Sequence, residues 1–557
     1  MFVPKLVTTL KTYSRKQFLS DLVAGIVVGI VALPLAIAFG IASGVTPEKG
    51  IITAIVGGFI ISATGGSRVQ IGGPTGAFIV IVYGIVQTYG IAGLTIATLI
   101  AGFLLIIMGL ARLGSIIKYI PYPLIVGFTA GIALIIFSSE IKDFFGLNMP
   151  SVPADFVQKW IAYFEHFKVV NIYAIIMGLT TVLIIVLLSK LSHRIPGALI
   201  AILICTLFAV VFHLPVETIG TRFGVIQGNL PKPVVSHIDL AAVQYLIRPA
   251  FTIAILGAIE SLLSAVVADG MIGGNNRSNM ELVAQGIANI ASSIFGGIPA
   301  TGAIARTATN VKNGGRTPVA GMVHAVTLLL IMIIVGKWAR LIPMACLAGI
   351  LVVVAYNMSE WRSFAGLLRG PRADAVVLLV TFSLTILVDL TIAIEIGMVL
   401  AAFLFIRRIS KVSKVDFVTQ DISEDDDDND PHAIKNYNVP KGVEVFEIKG
   451  PFFFGAAYKF KEAISVMENT PKVVIIRMLH VPIIDATALN ALMNVYKDMK
   501  KHHIGFMLSE IQPGVFTEME KYGLLDKIGE RNVFFDIQDA LIASSTTLIR
   551  ISGKPIR

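Results

Sequence analysis

The sequence predicts a polytopic α-helical membrane protein of about fourteen spans with a small α/β domain appended at its C-terminal end. Three observations carry this expectation. The 557 residues are 55% hydrophobic and only 15% charged, with a mean hydropathy of +0.80, values of a chain that crosses a bilayer repeatedly. Long apolar stretches recur up to about Arg408 and then stop. Beyond an acidic run, strand-like and helix-like periodicities alternate at the spacing of a compact α/β layer structure.

Residues 1–18 form an N-terminal segment carrying Lys5, Lys11, Arg15 and Lys16. It runs into a full-length span rather than the short apolar region and cleavage site of a signal peptide. Residues 19–412 hold the apolar segments, which start near Leu22, Ile51, Thr75, Ala92, Ile120, Ile172, Pro196, Phe251, Leu282, Thr301, Pro318, Ala339, Ala375 and Thr391. Threading these with the N-terminus inside places Arg112, Lys118, Lys190, Arg194, Arg362, Arg369, Arg372 and the basic cluster from Arg407 to Lys414 in the cytoplasm. The loops at about 138–171 and 214–249 then face outward, as the positive-inside rule requires. An even count leaves both termini cytoplasmic. The net charge of +9 sits mostly at span ends, which argues against a nucleic-acid partner. Cys205 and Cys346 fall inside apolar runs, so a buried packing role is expected and no metal or other cofactor is called for.

Residues 413–438, with the acidic run at 424–430, read as a solvated linker. From 439 to 557 the pattern is that of a small domain. Val443, Val445, Phe446 and Ile448 form a near-alternating strand, and Val473 to Ile476 a buried one. Ala486 to Lys501 is an amphipathic helix with Asp485 at its N-cap; Ile504 to Leu508 is a further strand and Val515 to Leu525 a further helix. No nucleophile, metal cluster or paired carboxylates occur in this part, so an enzyme is not expected.

One motif is written twice where apolar spans break. Gly72-Gly73-Pro74-Thr75-Gly76-Ala77 recurs as Gly296-Gly297-Ile298-Pro299-Ala300-Thr301-Gly302-Ala303. Broken helices at membrane depth are tolerated where the freed backbone is buried in protein or lines a cavity. A matched pair of breaks in two halves is the pointer to a transporter's substrate site. The short third and tenth segments should be half-helices whose N-termini, at Thr75 and Thr301, aim unsatisfied N–H groups at the gap between them. Thr75, Gly76, Ala77, Thr301, Gly302, Ala303 and Ala305 are therefore candidate substrate-binding residues. Ordinary inter-helix turns are the plainer alternative.

Two intramembrane charges stand out, because ionisable groups at that depth are costly and mark function. Glu260 lies mid-span, sharing a helix face with Gly257 and Ser264, which leaves open space and a hydroxyl beside the carboxylate. Arg306 lies one turn inside the second half-helix, and its fork matches a planar oxyanion. Glu260 and Ser264 are candidate ion-coupling residues. A permanent Glu260–Arg306 salt bridge that merely locks the spans is the alternative. Asp21, and Asp269 with Arg277, read as interfacial or gating charges; Asp389 and Glu395 flank the last turn; His324 reads as a hydrogen-bonded packing histidine. Gly336-Lys337 is followed by Trp338, so no phosphate loop is present and uptake would draw on ion or substrate gradients.

The Gly-Gly-Pro-Thr-Gly break, Glu260-Ser261-Leu262-Leu263 leading to Ala268-Asp269-Gly270, Asn279-x-Glu281-Leu282-x-x-Gln285-Gly286 and Gly314-Gly315-Arg316-Thr317 resemble the SulP (sulfate permease) family of anion transporters. The C-terminal unit resembles a STAS domain. Within the family the likeness is to bacterial C4-dicarboxylic acid permeases, on Ala303-Ile304-Ala305-Arg306, Ile141-Lys142-Asp143-Phe144 and Asn357-Met358-Ser359-Glu360. The resemblance implies two inverted seven-span repeats forming core and gate domains, a substrate between half-helices three and ten, and a homodimer in the bacterial inner membrane. It places Arg306 where several members carry a substrate-proximal arginine. Glu260 stands where sodium-coupled bicarbonate members carry Asp, a departure that favours proton coupling over sodium. Thr487, in Asp485-Ala486-Thr487-Ala488, stands where related STAS proteins are phosphorylated, though its neighbours differ; a cytosolic protein partner of this domain is implied as well. The expectation is a proton-coupled symporter of small anions such as succinate or fumarate, with a sulfate or bicarbonate transporter, exchanger or channel of the same family as the alternative.

Overall fold

The computed structural model describes residues 2–115, 120–149, 152–153, 155–167, 169–191, 196–224, 233, 240–388, 390–412, 414–417, 434–465 and 471–552. Lys118, Arg194, Asp389 and the acidic run at 424–430 lie outside the described residues. The chain divides into two compact units, Met1–Ala401 and Ala402–Arg557.

In the first unit a short helix α1 (Lys5–Thr9) precedes α2 (Arg15–Ala42), whose N-terminus is capped by Ser14 accepting from Gln17 N at 3.2 Å. Next come α3 (Pro47–Thr64), the two-residue strand β1 (Gly72–Gly73) and α4 (Ile79–Leu110). Then follow α5 (Tyr122–Phe145), α6 (Phe156–His166), α7 (Ile172–Leu191), α8 (Gly197–Val211), α9 (Ile219–Phe223), α10 (Leu240–Ile272) and α11 (Ser278–Ile294). Strand β2 (Thr301–Gly302) leads into α12 (Ile304–Lys312) and α13 (Pro318–Val335), followed by α14 (Met344–Met358), α15 (Trp361–Leu368), α16 (Arg372–Leu387) and α17 (Leu390–Val412). Eight helices among the described residues are long and apolar enough to cross a bilayer. The remaining apolar segments fall on α3, α8, α11, α12 and α16, and two of them share α4, which bends at Gly90 with φ 69°.

Small residues let these helices touch. A Cβ on Gly102 would lie 2.8 Å from the Gly286 carbonyl, and one on Gly286 would lie 2.5 Å from the Gly102 carbonyl. Helices in lipid associate by such close packing, because burial of apolar surface gives no advantage there. Buried carboxylates act as staples between segments. Glu281 on α11 accepts from Gly66 N at 2.8 Å, Ser67 N at 3.0 Å, Gln285 Nε2 at 2.9 Å and Ser261 Oγ at 3.2 Å. Asp21 accepts from Arg316 N at 2.8 Å and Thr317 Oγ1 at 2.5 Å, fixing the start of α13. A buried charge needs several such donors to be tolerated.

One expectation is corrected here: His324 is fully buried, but neither ring nitrogen has a hydrogen-bond partner among the described residues. Asp269 accepts from Asn276 N at 2.6 Å, while Arg277 Nη1 donates to Val3 O at 2.7 Å. Asp21 is fully buried. The two cysteines are buried and free, with Thr181 Oγ1 donating to Cys346 Sγ at 3.2 Å and lying 3.4 Å from Cys205 Sγ.

The second unit holds a five-stranded sheet of β3 (Lys414–Phe417), β4 (Val443–Lys449), β5 (Val473–His480), β6 (Gly505–Ser509) and β7 (Val533–Phe534), in that order. Strand β3 is antiparallel to β4 and the rest are parallel. Helices α18 (Phe454–Ser465), α19 (Ala486–Lys501), α20 (Pro513–Lys521), α21 (Leu524–Ile528) and α22 (Ile537–Ser552) complete it. Alternate residues of β5 enter two cores, Val474 and Ile476 one, Val473 and Ile475 the other, so the strand reads as continuously apolar. The helix expected over Val515 to Leu525 is instead α20 and α21, broken at Gly523, whose φ of 70° suits glycine.

Arg477 on β5 is 1% exposed and forms ion pairs with Glu510 and, at 3.5 Å, with Glu447. Replacing it by alanine would leave two carboxylates in a nearly dry site. The Arg477→Ala variant should lose about 3–5 kcal/mol in this unit. Hydrogen exchange along β5 in the full-length protein checks this, and unchanged protection would refute it.

Candidate anion site

The two broken motifs meet. Gly72 pairs with Gly302 and Gly73 with Thr301, antiparallel, so β1 and β2 form a two-stranded ribbon inside the helical unit. Much of the backbone freed by the breaks is held by protein partners, as lipid-embedded structure demands. Asn289 donates to Ala300 O at 2.8 Å and accepts from Ala300 N at 2.9 Å. Thr53 Oγ1 accepts from Ile298 N at 2.7 Å, and Ala303 N donates to Ile71 O at 2.9 Å.

This corrects the expected helix starts. Thr301 and Gly302 are strand residues and α12 begins at Ile304, with Ala303 at its N-cap. Thr75 precedes a short 3-10 turn, Gly76–Phe78, before α4 begins at Ile79. In the second segment the ribbon claims Thr301 and Gly302, and in the first the 3-10 turn after Thr75 delays the α-helix. Thr75 Oγ1 donates to Glu260 Oε2 at 2.8 Å, and Thr301 Oγ1 donates to Gly257 O at 2.9 Å, tying both segments to α10.

Arg306, at the third position of α12, is 3% exposed. Its Nη2 donates to Pro74 O and its Nη1 reaches Gly72 O at 3.5 Å. Gly73 makes room for it: a Cβ there would sit 2.5 Å from Arg306 Nη1, and the φ of 144° disfavours any side chain. Arg306 and Glu260 form no ion pair, so the permanent salt bridge is not the arrangement present. Two nitrogens of the guanidinium hold the first motif's carbonyls, leaving further N–H groups for a ligand.

Glu260 is half-buried and Ala305 exposed, whereas Thr75, Gly76, Ala77, Thr301, Gly302 and Ala303 are buried. The space expected beside Gly257 is taken by Phe78, whose ring would lie 3.4 Å from a Cβ there. Ser264 faces Thr307, with the hydroxyls 3.3 Å apart, rather than Glu260. From α14, Met358 Sδ would lie 2.7 Å from a Cβ on Gly76, so Met358 packs on the turn that starts the first half-helix. Thr487 is exposed on the first turn of α19, where Asp485 caps the helix by accepting from Ala488 N at 2.8 Å.

Several residues around the site were not singled out from sequence. Gln70 donates to Ser261 O at 2.9 Å and lies where a Cβ on Gly302 would be. Thr307 Oγ1 accepts from Ile71 N at 3.0 Å. Thr53 and Asn289 hold the second break. Their common signal is a hydrogen-bonding side chain in apolar surroundings, which costs too much unless it has a partner.

The sulfate permease family model matches residues 18–381, and a STAS domain model matches residues 435–540. The chain belongs to the sulfate permease family. This sulfate permease family member is 42% identical over 533 residues to YvdB of Bacillus subtilis (strain 168), a protein named for sulfate transport, spanning 95% of this chain and 98% of that one. It is 30% identical over 474 residues to the bicarbonate transporter BicA of Picosynechococcus sp., spanning 82% of each. The solved transmembrane domain of a cyanobacterium bicarbonate transporter BicA matches with TM-score 0.62 and 31% identity, covering 68% of this chain and 98% of that one. SLC26A9 matches with TM-score 0.86 and 19% identity, covering 99% and 94%, which shows a shared fold. The sulfate permease chain is thus a multi-pass anion transporter with the helical fold of that family and a C-terminal STAS domain; its family and relatives are transporters rather than enzymes.

Proposed function

We propose that the protein is a secondary active carrier that moves a small oxyanion together with a proton across a bacterial inner membrane, both termini being cytoplasmic. The observation that carries this reading is a buried guanidinium, in no ion pair among the described residues, that holds Pro74 O at the meeting of two broken segments, while the next residue, Thr75, donates to the Glu260 carboxylate. Arg306 and the N–H groups at the starts of the two half-helices bind the anion. Glu260 carries the proton: neutralised, it no longer repels the anion, so both loads travel together. Movement of the ribbon-bearing helices against α5 and α14 exposes the site to each side in turn, with Met358 on Gly76 as one contact to be broken.

The substrate we propose is a compact oxyanion such as sulfate or bicarbonate. One guanidinium and walls of Gly76, Ala77 and Ala303 suit a single small anionic centre, and relatives bear the names of transporters of these two ions. The second reading is a C4-dicarboxylate, favoured by the stretch Ala303-Ile304-Ala305-Arg306 and by exposed Ala305, which leaves an open side for a second carboxylate.

Uptake of labelled sulfate, bicarbonate and fumarate into proteoliposomes, under imposed proton or sodium gradients, tests this. Proton-driven accumulation of sulfate or bicarbonate is the expected result. Accumulation of fumarate alone would select the second reading, sodium dependence would remove the proton, and no accumulation under either gradient would end the carrier reading.

A further inference from the structure

A cavity of about 530 Å³ lies apart from the Arg306 site, walled by the first turns of α4, by α5, α6 and α10, by the end of α16 and by the first residues of α17. Two cations belong to its wall. Arg248 on α10 is more than half exposed and makes only a loose 3.8 Å contact with Glu395. Lys159 on α6 is 2% exposed. Its ammonium has three donors, of which one meets Ser139 Oγ at 2.8 Å. Lys159 forms no ion pair among the described residues. An ammonium shielded from water with carboxylates only at longer range is costly, and an anion in the cavity would supply a charge in direct contact. Asp155 also lines the cavity, but its carboxylate is engaged in capping α6, accepting from Gln158 N at 2.9 Å.

The cavity is continuous in sequence with the Arg306 site. Its wall includes Ile79 to Ile81, just after the Thr75–Gly76 break, and Arg248, which precedes Glu260 by twelve residues on α10. At 1.5 Å per residue that is about 18 Å along the helix.

We propose that this cavity is an anion-binding vestibule, a second site in which Lys159 and Arg248 hold a small oxyanion in transit to or from Arg306. The assignment deepens the carrier reading and rests on it. In the orientation proposed above, α6 lies on the outer face, so the vestibule concentrates the anion from outside. Burial lowers the Lys159 pKa to about 8, with Glu140 on α5 and Asp155 pulling it back up. Lysine is charged below its pKa, so the vestibule weakens as pH rises through that range. The other titratable groups on the wall are Arg248, Tyr83, Tyr89 and Tyr245; α16 contributes none.

The test uses Thr88→Cys in the full chain, since Thr88 is exposed on the cavity wall and the native cysteines are buried. The readout is the rate of labelling by a membrane-impermeant methanethiosulfonate, with inorganic sulfate and bicarbonate as probes. One of the two should slow labelling several-fold near neutral pH, and less at a pH well above 8. Protection should persist with Arg306→Ala and with Lys159→Arg, and disappear with Lys159→Gln and, separately, Arg248→Gln. Protection that vanishes with Arg306→Ala yet survives Lys159→Gln would overturn the vestibule, as would labelling indifferent to both anions. Because protection is read rather than flux, a chain that accumulates none of sulfate, bicarbonate and fumarate would end the carrier reading without obscuring this result.

Discussion

Arg306→Ala is expected to abolish concentrative anion uptake while leaving the helical unit folded. Removing a buried charged partner of a bound ion costs about 2–5 kcal/mol, a loss of affinity of ~30-fold to several thousand-fold. A structural penalty of similar size accompanies it, offset where water reaches the vacated carbonyls. The carbonyls of Gly72 and Pro74 lose a donor, worth about 1–3 kcal/mol each if water cannot replace it. The β1–β2 pairing and the holds of Asn289 and Thr53 on the second break remain. Arg306→Lys separates charge from shape, because a single ammonium lacks the fork that spans two carbonyls and an oxyanion. It should fall between parent and alanine variant. Titration calorimetry with the transported anion, beside a thermal melt, reads both quantities. Unchanged affinity in a folded alanine variant would remove Arg306 from the site.

The helical skeleton was legible in the sequence because span length and apolar content are imposed by the bilayer itself. Every apolar segment expected from the sequence lies on a helix of the structure, two of them sharing α4, which bends between them at Gly90. The meeting of the two motifs was legible as an approach, but not as a strand pair. Two residues carry no periodicity, and the partners of Gly72 and Gly73 lie more than two hundred positions away. For the same reason the helix starts were placed too early. Polar pairing was read least well. Asp269 holds the nearby Asn276 N, whereas Arg277 is spent on Val3 O, a partner 274 positions away that no local pattern announces. Ser264 shares a face with Glu260 but meets Thr307, which arrives from another helix. A helix face states which residues are candidates; only the opposing segment decides which of them bond.

Glu260→Gln should remove accumulation driven by a pH gradient while sparing exchange of labelled for unlabelled anion. Glutamine has the same length, and its amide oxygen can still accept from Thr75 Oγ1, which donates to Glu260 at 2.8 Å. It therefore resembles the neutral, loaded form of the carboxylate in shape and charge. A carrier whose site is permanently neutral still binds the anion beside Arg306 and still crosses, but it has no proton to return. In the parent, each proton coupled per anion converts one pH unit into about 1.4 kcal/mol, a tenfold accumulation at most. In the variant that ratio should fall to unity for a neutral cycle, whatever the pH gradient, with counterflow of near-parental rate. Glu260→Asp sharpens the argument, since it keeps a titratable group but shortens its reach to Thr75; partial pH-driven uptake is expected. Full proton-driven accumulation by Glu260→Gln would move the proton to another group, whereas loss of exchange and accumulation together would make Glu260 a structural anchor of Thr75 rather than a proton carrier.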